Sequence, residues 1–273
     1  MANLFIKQEQ HQYAGARPSY QANQYAQGRP SYPPELFQFI ASKTPHHDLA
    51  WDVGTGTGQA ARSLAEIYKN VVATDMSPKQ LEFAPKLPNI RYQETSPTMS
   101  YSEIEQKVGS ESSVDLVTVA QAMHWFDLPA FYQQVKWVLK KPDGIIAAWC
   151  YTNPQVNDSM DKLLEAFYEN PYWDSPRKMV DDKYRSIDFP FDAVDGADNT
   201  GPFEFGNERT MSLEEYFSYL RSWSAYQKAK EKGVELLSQD VVENFKSAWG
   251  EDGNHGPKLV NFPIYLRIGK MGL

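Results

Sequence analysis

Between residues 49 and 151, apolar runs of strand length alternate with stretches whose apolar residues recur at helical spacing. Leu49-Ala-Trp-Asp-Val53 is a compact apolar segment that ends in a run of glycines. Residues 59–69 then bring Ala61, Leu64, Ala65 and Tyr68 to one helical face. Val71-Val-Ala-Thr-Asp75 predicts the next strand, and further strands are expected at 90–93, 114–120 and 144–151. Helix starts fall between them: Pro33-Pro34, Ser77-Pro78, the capping box Ser100-Tyr-Ser-Glu103, and Asp127 ahead of 128–140. This alternation predicts a doubly wound α/β fold, a parallel sheet with helices on both faces.

The rhythm stops after Tyr151. Residues 153–202 mix Tyr168, Tyr172, Trp173, Tyr184, Phe189 and Phe191 with charges and prolines, and one helix is expected at 158–169. The pattern predicts an insertion, a helical and aromatic cap, rather than another sheet unit. Beyond it, residues 203–206 suit a strand. Ser212-Leu-Glu-Glu215 opens a capped helix taken to run through 219–226, with Leu220 and Trp223 on one face and Arg221 elsewhere. A second helix is expected at 234–249 and a last strand at 262–268.

Composition narrows the classes. With 273 residues and 41 % apolar content, the chain can fill one elaborated domain. Its 27 basic and 35 acidic residues leave a net charge of −8 with no polybasic run, which argues against nucleic acid or an anionic membrane as partner. The single cysteine, Cys150, forms no bridge within the chain and fits a reducing compartment. The first thirteen residues lack the apolar core of a secretory leader, and no apolar run nears membrane-spanning length, so a cytoplasmic location is expected. The five histidines, His46-His47 among them, lack ligand spacing, and no metal is expected.

Asp52-Val-Gly54-Thr-Gly56-Thr-Gly58 stands between a strand and a helix. Glycines there permit a sharp turn and a close approach of ligand to backbone, and the helix start offers unpaired N–H groups. Asp75, at the tip of the second strand, is placed to accept both hydroxyls of a ribose. A dinucleotide fingerprint would need its third glycine at Gln59, which disfavours an NAD-dependent oxidoreductase.

With Leu139-Lys-Lys-Pro-Asp-Gly144, these features resemble the class I S-adenosylmethionine-dependent methyltransferases. Tyr25-Ala-Gln-Gly-Arg29-Pro-Ser-Tyr-Pro33 and Ala120-Gln-Ala-Met-His124-Trp125 are similar to phrases of the small-molecule, trans-aconitate-methyltransferase-like branch. The resemblance implies a mostly parallel, Rossmann-like seven-stranded sheet with its last strand antiparallel. It implies S-adenosylmethionine as cofactor, held by Asp52, Gly54, Gly56, Gly58 and the backbone after strand four at Gln121, with Asp75 on the ribose. Ser96 falls where many relatives place an acidic partner for adenine, and Trp125 is expected near the adenine or the sulfonium. The organisation implied is an arm at 1–33, a cofactor-binding half at 34–151, a cap on the substrate side at 152–202 and the rest of the sheet with cap helices at 203–273.

The arm says nearly the same thing twice, at 12–20 and 24–32. Only the second copy runs into Pro33-Pro34-Glu-Leu-Phe, so Tyr25 and Arg29 are expected to close over the ligand as a lid, whereas Tyr13 and Arg17 form a spare duplicate. The acceptor is expected to be a small molecule. A carboxylate would need a cation, Arg29 or another arginine; an aromatic hydroxyl or amine would need a base, for which His124 is placed. A cofactor-binding protein without turnover is the alternative of another class.

Overall fold

The computed structural model describes residues 31–96 and 98–272. Its seven-stranded sheet runs β3-β2-β1-β4-β5-β9-β6. In chain order these strands are β1 (Leu49–Val53), β2 (Asn70–Asp75), β3 (Ile90–Glu94), β4 (Leu116–Ala120), β5 (Ile145–Tyr151), β6 (Phe203–Phe205) and β9 (Ile264–Lys270). The first five are mutually parallel, and β9 pairs antiparallel with both β5 and β6. The last strand begins two residues later than expected because Pro263 has no N–H and the Phe262 N–H goes instead to the Asn207 carbonyl.

Strand periodicity sorts the two faces. Along β5, Ile145, Ala147, Trp149 and Tyr151 enter one core, while Ile146, Ala148 and Cys150 enter the other. The first core is covered by α1 (Pro34–Ser42) and α2 (Gln59–Leu64), the second by α4 (Tyr101–Lys107) and α5 (Leu128–Val138); α3 (Pro78–Glu82) follows β2. The capping box at Ser100 and Glu103 and the Asp127 cap form as read from sequence. Ser77 stands at the N-cap of α3 without a side-chain cap bond, and its N–H donates to the Asp75 carboxylate.

After β5 come α6 (Asp158–Tyr168) and a short α7 (Arg177–Asp181) that the sequence reading did not contain. Three helices follow β6: α8 (Leu213–Arg221), α9 (Ser224–Glu231) and α10 (Gln239–Trp249). The expected continuous helix through 219–226 is therefore broken. Ser222 bends its hydroxyl back onto the Tyr219 carbonyl at 2.6 Å, and Trp223 takes extended geometry as the N-cap of α9. Leu220 and Trp223 are both buried but sit on different elements. Likewise α10 starts at Gln239, where Ser238 caps it, and 234–238 lies outside the helix. Between these elements, β7 (Glu208–Met211) and β8 (Lys258–Asn261) form a small antiparallel ribbon that was not foreseen, its strands too short and polar to show a period. No helix among the described residues is long and apolar enough to cross a membrane.

Arg267 of β9 pins the post-β5 segment to the sheet. Its guanidinium donates to the carbonyls of Tyr184 (2.8 Å), Ile187 (3.2 Å) and Thr200 (3.2 Å) and to the Thr200 hydroxyl (2.9 Å). A buried cation is tolerated there because several acceptors converge on it.

Candidate active site

The carboxyl ends of β1, β2 and β4 meet at one edge, where ligands of open α/β sheets bind. Gly54 has φ +67°, and a Cβ on it would come within 2.8 Å of the Ala122 Cβ. The turn after β1 thus lies flush against the turn after β4, an approach that only glycine allows. Gly58, φ +80°, precedes α2, and a Cβ there would meet the Tyr92 hydroxyl at 2.6 Å. Gly56, between them, donates its N–H to Asp75 Oδ2 at 2.8 Å.

The two acidic residues divide the labour. Asp75 Oδ1 accepts the Ser77 N–H at 2.8 Å, so main-chain donors on both oxygens orient the carboxylate. Asp52 has no exposed surface. Its oxygens accept the hydroxyls of Thr118 (2.7 Å) and Thr55 (2.5 Å), while burial pushes its carboxyl up to about 6 against those bonds. Asp52 therefore braces the glycine turn from behind. Within that turn the Thr57 hydroxyl is buried and has no hydrogen-bond partner among the described residues.

The remaining residues named from the sequence are spread around this edge. Gln121 takes the left-handed region at φ +56° and donates its side-chain amide to the Tyr151 carbonyl at 3.0 Å. Ser96 is exposed, its hydroxyl donating to the Thr98 carbonyl at 2.6 Å. Trp125 is 54 % exposed, so it is no packing residue, and its ring lies 5.1 Å from that of His124. Tyr25 and Arg29, like Tyr13 and Arg17, lie outside the described residues. The last two residues of the second repeat are described: Asn207 holds the Ser31 carbonyl at 2.6 Å, and Tyr32 packs edge-on against Trp149 at 5.3 Å.

His124 sits in a single 3-10 turn after β4 and keeps only 9 % of its surface. Its Nδ1 lies 2.9 Å from the hydroxyl of Tyr184, which is fully buried. Burial, reinforced by the charge of Arg177, lowers the histidine to about 3, so the ring is neutral. Tyr184 reaches it through the end of α7. The Tyr184 N–H bonds to the Met179 carbonyl and the Lys183 N–H to the Val180 carbonyl, a Schellman ending with Lys183 at φ +60° where glycine is usual. Arg177, in the first turn of α7, donates Nε to the Tyr168 hydroxyl at 2.8 Å and stacks 4.8 Å above the Trp173 ring. Cys150 shares this region, but burial pushes its thiol to about 12, so it is inert.

Comparison with known proteins fits this edge. A methyltransferase-domain profile matches residues 51–148. A Dictyostelium discoideum protein named as a methyltransferase is 32 % identical over 244 residues, spanning 86 % of this chain and 88 % of its own. The chain belongs to the class I S-adenosylmethionine-dependent methyltransferases. An Anaeromyxobacter dehalogenans protein named as a type II methyltransferase has a solved structure with TM-score 0.76 and 28 % identity, covering 90 % of this methyltransferase and 99 % of that chain. A Saccharomyces cerevisiae protein, named as an S-adenosylmethionine-dependent methyltransferase, is 26 % identical over 206 residues, 64 % of this chain and 68 % of its own.

The residues of the methyltransferase fit the cofactor its family uses. The turn at Gly54 leaves no room for a Cβ, and the Asp75 carboxylate stands beside it at the end of β2, bonded to the Gly56 and Ser77 N–H groups. Among the described residues, no group of three or more His, Cys, Asp or Glu could hold a metal ion. The sequence showed Tyr184 only as one aromatic of the cap and singled out neither it nor Arg177. No local signal could choose them, since a lysine stands where the left-handed ending of α7 would normally show glycine.

Proposed function

We propose that this methyltransferase methylates the carboxylate of a small organic acid, as its similarity to the trans-aconitate-methyltransferase-like branch implies. The observation that carries the reading is the bond between His124 Nδ1 and the Tyr184 hydroxyl. A buried phenol with a single side-chain partner satisfies its proton by donating it. Nδ1 therefore accepts, and the ring proton sits on Nε2. The histidine nearest the cofactor edge is a neutral hydrogen-bond donor with no vacant basic nitrogen. A phenol or an ammonium would need a base to take its proton; a carboxylate needs none.

S-adenosylmethionine, when bound, supplies a methyl group activated by the sulfonium. The glycine turn would hold its methionine part, Asp75 its ribose, and Gln121 and Trp125 would flank it, with Ser96 toward the adenine. Tyr25 and Arg29 would close the arm over it and exclude water. Asp52 keeps the glycine turn in place, and His124 donates Nε2–H to the acceptor to orient it.

The test is an incubation with labelled S-adenosylmethionine and matched sets of acids, phenols and amines. Base-labile label, the mark of a methyl ester, is expected with acids only. His124→Gln, which keeps a donor, should retain most of the activity. Label appearing in phenols or amines, and lost in both His124→Gln and His124→Ala, would instead make His124 the base.

A further inference from the structure

We propose that Arg177 is the acceptor-binding cation of this site, its terminal guanidinium nitrogens taking the carboxylate of the small acid. This rests on the carboxylate reading above and names the residue that enforces it. The arginine is 17 % exposed at its side chain. Its Nε donates to the Tyr168 hydroxyl and lies 3.5 Å from Asp181 Oδ1, a carboxylate 45 % exposed to solvent. Trp173 lies under the plane at 4.8 Å and Tyr168 at 5.5 Å. Among the described residues its two terminal nitrogens have no hydrogen-bond partner.

That arrangement is unbalanced for a purely structural arginine. Arg267, the other largely buried arginine, spends Nε, Nη1 and Nη2 on four acceptors. Arg177 is clamped through Nε and its ring contacts, which orient the fork while leaving its outer edge available. The fork matches a carboxylate with two parallel N–H···O bonds. The helix that carries Arg177 packs on the turn that carries His124, and the arginine's charge opposes protonation of the histidine and partly offsets the rise that burial gives the Tyr184 phenol. A neutral donor, His124 Nε2–H, beside a guanidinium makes a pocket that selects an anion and offers nothing to accept a proton. Each carboxylate oxygen so bound keeps a further lone pair. One oxygen forms the new O–C bond as the methyl's C–S bond breaks, the sulfur keeps the electron pair, and no proton moves.

The experiment measures binding of trans-aconitate, benzoate and the neutral benzamide to the full chain saturated with S-adenosylhomocysteine. Titration calorimetry and tryptophan fluorescence report together, since Trp173 lies against the guanidinium. Wild type is expected to bind a carboxylate and not benzamide. Arg177→Met should weaken that carboxylate at least about tenfold, or about 1.4 kcal/mol, with S-adenosylhomocysteine affinity held within about twofold. Arg177→Lys should recover part of the loss, as a point charge without the fork. Unchanged carboxylate binding in Arg177→Met, or no carboxylate bound by wild type, overturns the proposal. Failure of wild type to bind S-adenosylhomocysteine would sink the cofactor reading beneath it, a separate and recognisable result.

Discussion

The Tyr184 hydroxyl lies 2.9 Å from Nδ1 of His124, and this bond decides which ring nitrogen carries the proton. It joins an element after β5 to the loop after β4, so the chemistry of the histidine depends on a residue sixty positions away.

Tyr184→Phe keeps the ring and removes the donor. Nδ1 then loses its partner at a buried site, and the variant should lose about 1–3 kcal/mol of stability in denaturant titration. Nitrogen chemical shifts of the imidazole should show one tautomer, protonated at Nε2, in wild type and a mixture in the variant. A wild type protonated at Nδ1 would contradict the assignment.

Two buried groups give opposite pH dependences. His124, lowered to about 3 from an ordinary 6.5, stays neutral in the native state while the unfolded chain takes up its proton. Its contribution is present above pH 6.5 and is lost as pH falls toward 3, by up to about 1.4 kcal/mol per pH unit. The Tyr184 phenol bonded to it and the Arg177 guanidinium whose charge it feels do not titrate in that window. Asp52, raised from 3.8 to about 6, does the reverse: the native state binds the extra proton, so its contribution declines as pH rises between those values. Near pH 5 the two slopes oppose each other. Asp52→Asn should therefore become steeply acid-sensitive relative to wild type in denaturation midpoints between pH 6 and 4; parallel curves would refute the pairing.

Gly54→Ala meets two obstacles, a left-handed backbone and the Ala122 Cβ at 2.8 Å. S-adenosylhomocysteine affinity should fall at least about tenfold, a loss of about 1.4 kcal/mol by calorimetry. Adding Ala122→Gly should restore only part of it, because the space is relieved and the φ +67° is not.

Asp75→Ala removes the acceptor of both the Gly56 and Ser77 N–H groups. The ligand site should suffer more than the fold: S-adenosylhomocysteine affinity is expected to drop by more than about tenfold while the unfolding midpoint moves modestly. Equal ligand affinity in the variant would remove Asp75 from the ribose.

Arg267→Met leaves the Tyr184, Ile187 and Thr200 carbonyls without their shared donor. Stability should fall by about 2–3 kcal/mol, and amide exchange should rise around 184–187 before the sheet opens.

Much of this molecule was already written in local patterns. The period-2 alternation of 145–151 and the helical spacing of 59–69 depend only on near neighbours, and they yielded the sheet and its parallel run. Glycines before a helix and an aspartate one strand over report a ligand edge because backbone freedom and charge are properties of single residues. The break at Ser222 and the ribbon of β7 with β8 were not legible, since one hangs on a side chain competing for a carbonyl and the other on pairing across some fifty residues. The pairing of Tyr184 with His124 and the placement of the Arg177 fork belong to the tertiary structure alone. A tautomer and a guanidinium held through Nε alone among the described residues are fixed by which groups the fold brings within hydrogen-bond reach, and no spacing along the chain encodes that distance.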